Sequence, residues 1–345
     1  IVAGVFSGLI AAGAVCVFAF RSKQAEATLE EAEILVWYPA ETSSDGEEFL
    51  SMASSYMEYY PNIEIQAEAV PAGEYEERLE EALDSGEGMP TVFVSTGLDE
   101  SWDEKLASLD EAYSWLDERG ELDSYYFLED YRKNFPRETR MPMSFDAPVI
   151  YGNSLINGES AGVISGREEL EEIVENSSAG YAVDGSAAGL YEELLPEMDR
   201  SRTYEDFLVN LDEGNQGSGE DFDAEQEKET ALEGKAGYYL SDTSRYKTVQ
   251  ADMAGIYQVI LMKDMPLKGR LTNMWSVNGS STEAERKAGV RLIYFLMSKE
   301  NQQIMNVQNG QGLPLHKEIM EEYETMNTEL SGIGEGLDQL EMDGQ

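Results

Sequence analysis

Sulfur chemistry and imidazole are nearly missing from this sequence. It holds one cysteine, Cys16, and one histidine, His316, in 345 residues. A lone cysteine excludes an internal disulfide, and a lone histidine removes multi-histidine metal sites and most histidine-based catalysis. No H-E-x-x-H occurs. Positive charge is equally scarce, with 24 Lys+Arg against 69 Asp+Glu and a net charge of −45. Such a surface repels nucleic acid and anionic headgroups, so neither is a partner. It also argues against an anionic ligand unless cations gather locally. What remains is 41% hydrophobic and 10% aromatic residues, a composition that folds rather than stays disordered. The length suffices for one large domain or two lobes.

The sequence opens on Ile1 rather than methionine, so a preceding segment is expected. Ile1 to Phe20 carries no charge. As a helix it would span about 30 Å, the thickness of a bilayer core. Arg21 and Lys23 close it. Residues 1–21 are read as a transmembrane anchor or signal segment, and 22–32 as a polar stalk. Three fates compete. An uncleaved anchor leads. Cleavage after the small-x-small Ala25-Glu26-Ala27 is an alternative. Lipid attachment at Cys16 is the third, although Val15 stands where a lipoprotein signal has a small residue.

Beyond the stalk, strand and helix patterns alternate. "EILVWYPA" (Glu33 to Ala40) is a short apolar run closed by proline, the mark of a buried strand. Phe49, Met52, Ala53, Tyr56, Met57 and Tyr60 follow helical spacing, with Asp45 as a cap and Pro61 as the stop. "IEIQAEAV" alternates in period two. "EYEERLEEALDSG" turns Tyr75, Leu79, Ala82 and Leu83 to one side and ends at Gly86. "PTVFVST" is a third strand. This β-α-β-α-β order predicts a parallel sheet covered by helices, with ligands at the carboxyl ends of its strands.

Acidic helical segments are expected from Asp99 to about Asn134, then an extended stretch, "PMSFDAPVIYGN". "NQGSGEDFDAEQE" faintly suggests a calcium loop. Counting from Asp221, however, Gln226 stands where glycine is needed and Leu232 where glutamate is needed. Neither metal nor cofactor is implied. Glu283 to Met297 reads as a helix with Ala284, Ala288, Leu292, Phe295 and Leu296 on one face. The acidic tail after Tyr323 is expected to fray.

From Glu33 to about Tyr323 the chain resembles the family 1 extracellular solute-binding proteins of ABC importers, the maltose-binding group. Four stretches carry the likeness: "ILVWYPA"; "YYPNIEIQAEAVPAGEYEERLEEALDSGEGMPTVFVST"; "ALEGKAGYYLSDTS"; and "MWSVNGSSTEAERKAGVRLIYFLMSKENQQIMNVQNGQGLP". Thr91 departs from the family's usual aspartate, and "LKGRLTNMW" is bulkier than its usual glycine pair. The resemblance implies an α/β, two-lobed, type II periplasmic-binding-protein-like fold with a ligand cleft between the lobes, preceded by the N-terminal transmembrane or signal helix. Lobe 1 would comprise 33–146 and 259–298. Lobe 2 would comprise 147–258 and 299–330, with 331–345 an acidic tail. The crossings would fall near "FDAPVIYGN" and "IYQVILMKDMP".

Hinge closure on a carbohydrate, delivered to ABC permease subunits at the outer face of the cytoplasmic membrane, is the implied function. Sugars are read by aromatic faces and a few polar groups. Carried over position by position, Trp37, Tyr38 and Glu41 follow the first strand, and Ser95 and Thr96 the third. Tyr151 and Asn153 fall at the first crossing, Tyr239, Ser241 and Asp242 in the loop after the glycine-lysine strand, and Trp275 on the returning strand. Trp37 and Tyr38 must point to opposite faces, so one of them is expected in the cleft. Trp102 and Trp115 are assigned to packing, and His316 to an exposed loop. An anchored sensor domain on the same fold is the alternative. A two-carboxylate glycoside hydrolase is a minor one, since 69 acids make suitable pairs uninformative.

Overall fold

In the computed structural model, β1 (Ala32–Ala40) is the hub of the first sheet. It pairs in parallel with β2 (Ile63–Pro71) on one side and β3 (Val92–Val94) on the other. The described residues are 29–343 apart from 41–42, 87, 136, 159–161, 176–180, 185–186, 192–233, 235, 254, 266, 309 and 311. The N-terminal segment and the calcium-like stretch therefore lie outside them. Among the described residues no helix is long and apolar enough to cross a membrane.

Helices α1 (Ser43–Tyr59) and α2 (Ala72–Ser85) join these strands as the periodicity requires. Phe49, Met52, Ala53 and Tyr56 are buried, whereas Met57 and Tyr60 at the edge of the stripe are half-buried. α2 buries Tyr75, Leu79, Ala82 and Leu83. It ends at Gly86, whose left-handed φ of 71° lets its N–H reach the Ala82 carbonyl. The expected acidic helical stretch is broken into a 3-10 turn (Glu100–Lys105), α3 (Asp110–Glu118) and α4 (Leu128–Asn134). Trp102 and Trp115 there are half-buried under cations, Lys105 at 4.1 Å and Arg291 at 3.5 Å from the ring centroids.

The chain then passes directly between two sheets. β4 (Met141–Asp146) belongs to the first, and β5 (Pro148–Asn153) to the second, with only Ala147 between them. The second sheet runs in the order β6 (Val163–Ser165), β9 (Tyr257–Lys263), β5, β8 (Tyr238–Asp242), β7 (Tyr181–Val183). Helix α5 (Arg167–Glu175) follows β6, and α6 (Tyr246–Met253) follows β8. The return crossing occupies 264–267, after which β10 (Lys268–Val277) pairs antiparallel with both β4 and β3. Residues 259–263 are thus strand-paired in the second sheet.

Helix α7 (Glu283–Leu296) begins with a capping box, in which the Thr282 N–H donates to Glu285 and the Glu285 N–H to Thr282. A Cβ at Gly289 would lie 2.9 Å from a Val92 methyl, so the helix seats closely on β3. β11 (Leu313–Pro314) and helix α8 (Lys317–Met326) follow. His316 is buried rather than exposed, at the N-cap position of α8 and edge-on to Tyr125 at 5.2 Å.

The tail does not fray as expected. Residues Ile333–Gln339 form a 3-10 turn, and β12 (Glu341–Asp343) runs parallel to the start of β10. Ile333 and Leu337 are buried, and with Leu340 they close a small cavity beside Ala147, Pro148 and Leu267, at both crossings. A Cβ at Gly269 would lie 2.6 Å from Leu340 and 2.8 Å from the Met342 sulfur, so the tail side chains seat directly on the β10 backbone there. Apolar residues spaced among the acids hold the segment down, a pattern that net charge conceals.

Candidate functional site

The carboxyl ends of β1 and β3 open into a cavity of about 440 Å³. The first sheet and its helices contribute Tyr38, Phe49, Met52, Thr96, Asn273 and Trp275 to its wall. Ser244, Lys247 and Thr248 reach it from the segment after β8, so the cavity lies between the two sheets. Its size falls within the range of small-molecule sites.

The aromatic wall follows from strand alternation. In β1 the Tyr38 ring packs 4.7 Å from Phe49, toward the cavity, while Trp37 turns the other way, under the Arg78 guanidinium at 4.2 Å. Trp275 stacks on Phe49 at 5.5 Å with 13° between the rings. Its indole N–H donates to Asn273 Oδ1 at 3.0 Å. Thr96 lines the cavity with its hydroxyl engaged, accepting the Met274 N–H at 2.8 Å.

Of the candidates, Tyr38, Thr96 and Trp275 line this cavity, whereas Ser95, Tyr151, Asn153, Tyr239, Ser241 and Asp242 do not. Ser95 is buried in the sheet with its hydroxyl 2.7 Å from that of Ser276. Asn153 holds the loop before β8, donating to Gly234 and Ala236 carbonyls and accepting from the Leu155 N–H. The Tyr151 hydroxyl donates to the Asp242 carbonyl at 2.9 Å. Tyr239 and Ser241 both donate to Asp184, at 2.6 and 3.0 Å, and Arg245 completes that carboxylate's shell at 2.7 Å. Burial and the Asp184 carboxylate hold the Tyr239 hydroxyl well above its ordinary pKa. Glu41 lies outside the described residues.

Asp242 is buried as well, not a solvated loop acid. One oxygen accepts the Ser244 N–H at 2.9 Å, and the other meets Arg270 at 2.8 Å. Arg270 also lies 3.5 Å from Asp146, at the first crossing. Burial, and after it the Asp242 carboxylate, push the Asp146 carboxyl up to about 7 against the pull of Arg270. This buried ionic cluster ties the end of β4, the end of β8 and the start of β10 together behind the cleft.

Phe49, Met52, Asn273 and the Ser244–Thr248 segment escaped the sequence reading. Phe49 and Met52 sit on the stripe that also makes α1 a core helix, and periodicity cannot divide that stripe between core and cleft. Asp184 carried no signal at all among so many acids.

Neither a family model nor a curated sequence matches the chain. Solved structures do match in shape. The cyclic alpha-maltosyl-1,6-maltose binding protein of Arthrobacter globiformis superposes with a TM-score of 0.62 at 14% identity, over 90% of this chain and 88% of that one. Maltose-bound MalE3 of T. maritima gives 0.61 at 18% identity, over 90% and 89%. An ABC substrate-binding protein of Listeria monocytogenes in complex with cycloalternan gives 0.58 at 14%, over 91% and 88%. The chain has the fold of the ABC-importer solute-binding proteins. Within that solute-binding-protein fold, the cavity lies in the cleft between the lobes, and the buried Asp146–Arg270–Asp242 cluster lies at the strands that connect them.

Proposed function

We propose that this protein binds a carbohydrate in the interlobe cleft and hands it to an ABC importer by hinge closure, outside the cytoplasm. The Trp275–Phe49–Tyr38 wall carries this reading, because stacked rings offer the apolar surface on which sugar rings pack. Ser244, Thr248 and Lys247, across from that wall, supply polar contacts from the second lobe. A solute touching both walls favours the closed state, which is the signal an importer reads. The known structures of this shape described above include proteins named for maltose and related saccharides, which agrees with this class.

The test is a thermal-shift screen of the protein against maltose, maltotriose and other oligosaccharides. A ligand at 100 times its Kd adds about 2.7 kcal/mol to stability and raises the melting temperature by degrees. No shift with any saccharide at millimolar concentration would refute the reading.

A further inference from the structure

Asn273 sits in the middle of β10 with a φ of 52°. A residue with a side chain rarely takes that left-handed conformation, and asparagine is among the few that tolerate it. Such strain persists only where its surroundings impose it. Here they do so from both sides. Thr272 pairs with Ser144 on β4, and the hydroxyls of the two meet at 3.0 Å. The Met274 N–H donates to the Thr96 hydroxyl. The Met274 carbonyl accepts the Ser95 N–H at 2.6 Å. Only Asn273 is skipped in the register: Met274 again pairs with Pro142 on β4, and Trp275 with Met141 there and with Val94 on β3. The outcome is that Asn273 and Trp275 both line the cleft, with the Asn273 side-chain Oδ1 accepting the only polar hydrogen of the indole.

We propose that Asn273 is a positioning residue of the cleft: its left-handed backbone and its side-chain oxygen together aim the Trp275 indole, committing the N–H inward so that the ring meets a ligand with its π-surface rather than as a hydrogen-bond donor. Phe49 holds one side of the ring, and Asn273 fixes its rotation about that stack. This inference rests on the reading of the cleft as a saccharide site, but its first test needs no ligand.

Three substitutions separate the backbone from the side chain. Asn273→Gly accepts the left-handed conformation and lacks the oxygen. Asn273→Asp keeps both, and Asn273→Ala keeps neither. The primary readout is the indole ¹H–¹⁵N resonance of Trp275, assigned by its disappearance in Trp275→Phe. The wild-type position should persist in Asn273→Asp and move upfield in Asn273→Gly, at nearly unchanged melting temperature. In maltotriose titrations, Asn273→Gly should bind about five- to tenfold more weakly, the loss expected for one hydrogen bond's worth of orientation, with Asn273→Asp near wild type. An indole resonance unmoved in Asn273→Gly, or equally displaced in Asn273→Asp, overturns the proposal. If wild-type protein ignores every saccharide while the indole shifts as described, the carbohydrate reading fails and the positioning role stands.

Discussion

The two sides of the cleft put aromatic residues to opposite uses. On the first-sheet side, Tyr38, Phe49 and Trp275 stack on one another and form the cavity wall. On the second-sheet side, Tyr151, Tyr191 and Tyr239, buried like those three, do not line that cavity, and each hydroxyl is tied to a backbone carbonyl or to Asp184. A buried phenol must find a hydrogen-bond partner, and in finding one it is fixed as part of the framework. A phenylalanine ring, or an indole satisfied by a neighbour on its own strand, carries no such demand, and Phe49 and Trp275 can line a cavity without it. The difference is one of polar handles rather than of aromatic content.

The largest expected effect tests the framework side. Arg270→Ala strands the buried carboxylates of Asp146 and Asp242 together, and should cost about 3–5 kcal/mol in urea unfolding. A cost below about 1 kcal/mol would show that the cluster is solvated. pH probes the same cluster. The Asp146 carboxyl titrates near 7 when folded, against an ordinary value of about 3.9. Between those values the folded protein holds a proton that the unfolded chain has released, so stability falls as pH rises from 4 through 7. The net charge of −45 gives a background slope of the same sign. The measurement is therefore the difference between wild type and Asp146→Asn, whose slope should be shallower; equal slopes would refute the assignment.

The next pair of substitutions addresses the contrast itself. Tyr239→Phe leaves Asp184 short of one donor and should lose about 1–3 kcal/mol of stability with unchanged saccharide affinity. Trp275→Leu should do the reverse in binding, weakening saccharide affinity about tenfold or more through loss of the platform. If Tyr239→Phe also weakens binding tenfold, the division of labour between the two sides is wrong. The smallest effect concerns the tail. The Lys263–Glu335 pair at 2.7 Å is partly exposed, so Lys263→Ala should cost no more than about 1 kcal/mol. Leu337→Ala should cost several times as much, because burial and not charge holds this segment behind the crossings.

Much of the first lobe was legible from spacing. Leu79, Ala82 and Leu83 recur at helical intervals, and Ile63 to Val70 alternate, so α2 and β2 were readable without partners. The cleft was legible only in part. Alternation required Trp37 and Tyr38 to diverge, but which of them met the cavity depended on α1 and α2 packing on opposite faces of the sheet. Tyr239 could not be placed from sequence because Asp184, distant in sequence, claims its hydroxyl. The apolar positions of the tail were visible, yet its acidity masked their periodicity.

The sequence alone determined the alternation of strands and helices, the lack of histidine and cysteine chemistry, and the aromatic supply, because these depend on local periodicity and composition. Only the tertiary structure decided which aromatics face the cleft, which carboxylates are buried around Arg270, and that the tail lies across the crossings. Those outcomes rest on contacts between residues far apart in the chain, such as Asp242 with Arg270, Trp275 with Phe49 and Gly269 with Leu340. A one-dimensional pattern has no coordinate in which such contacts appear.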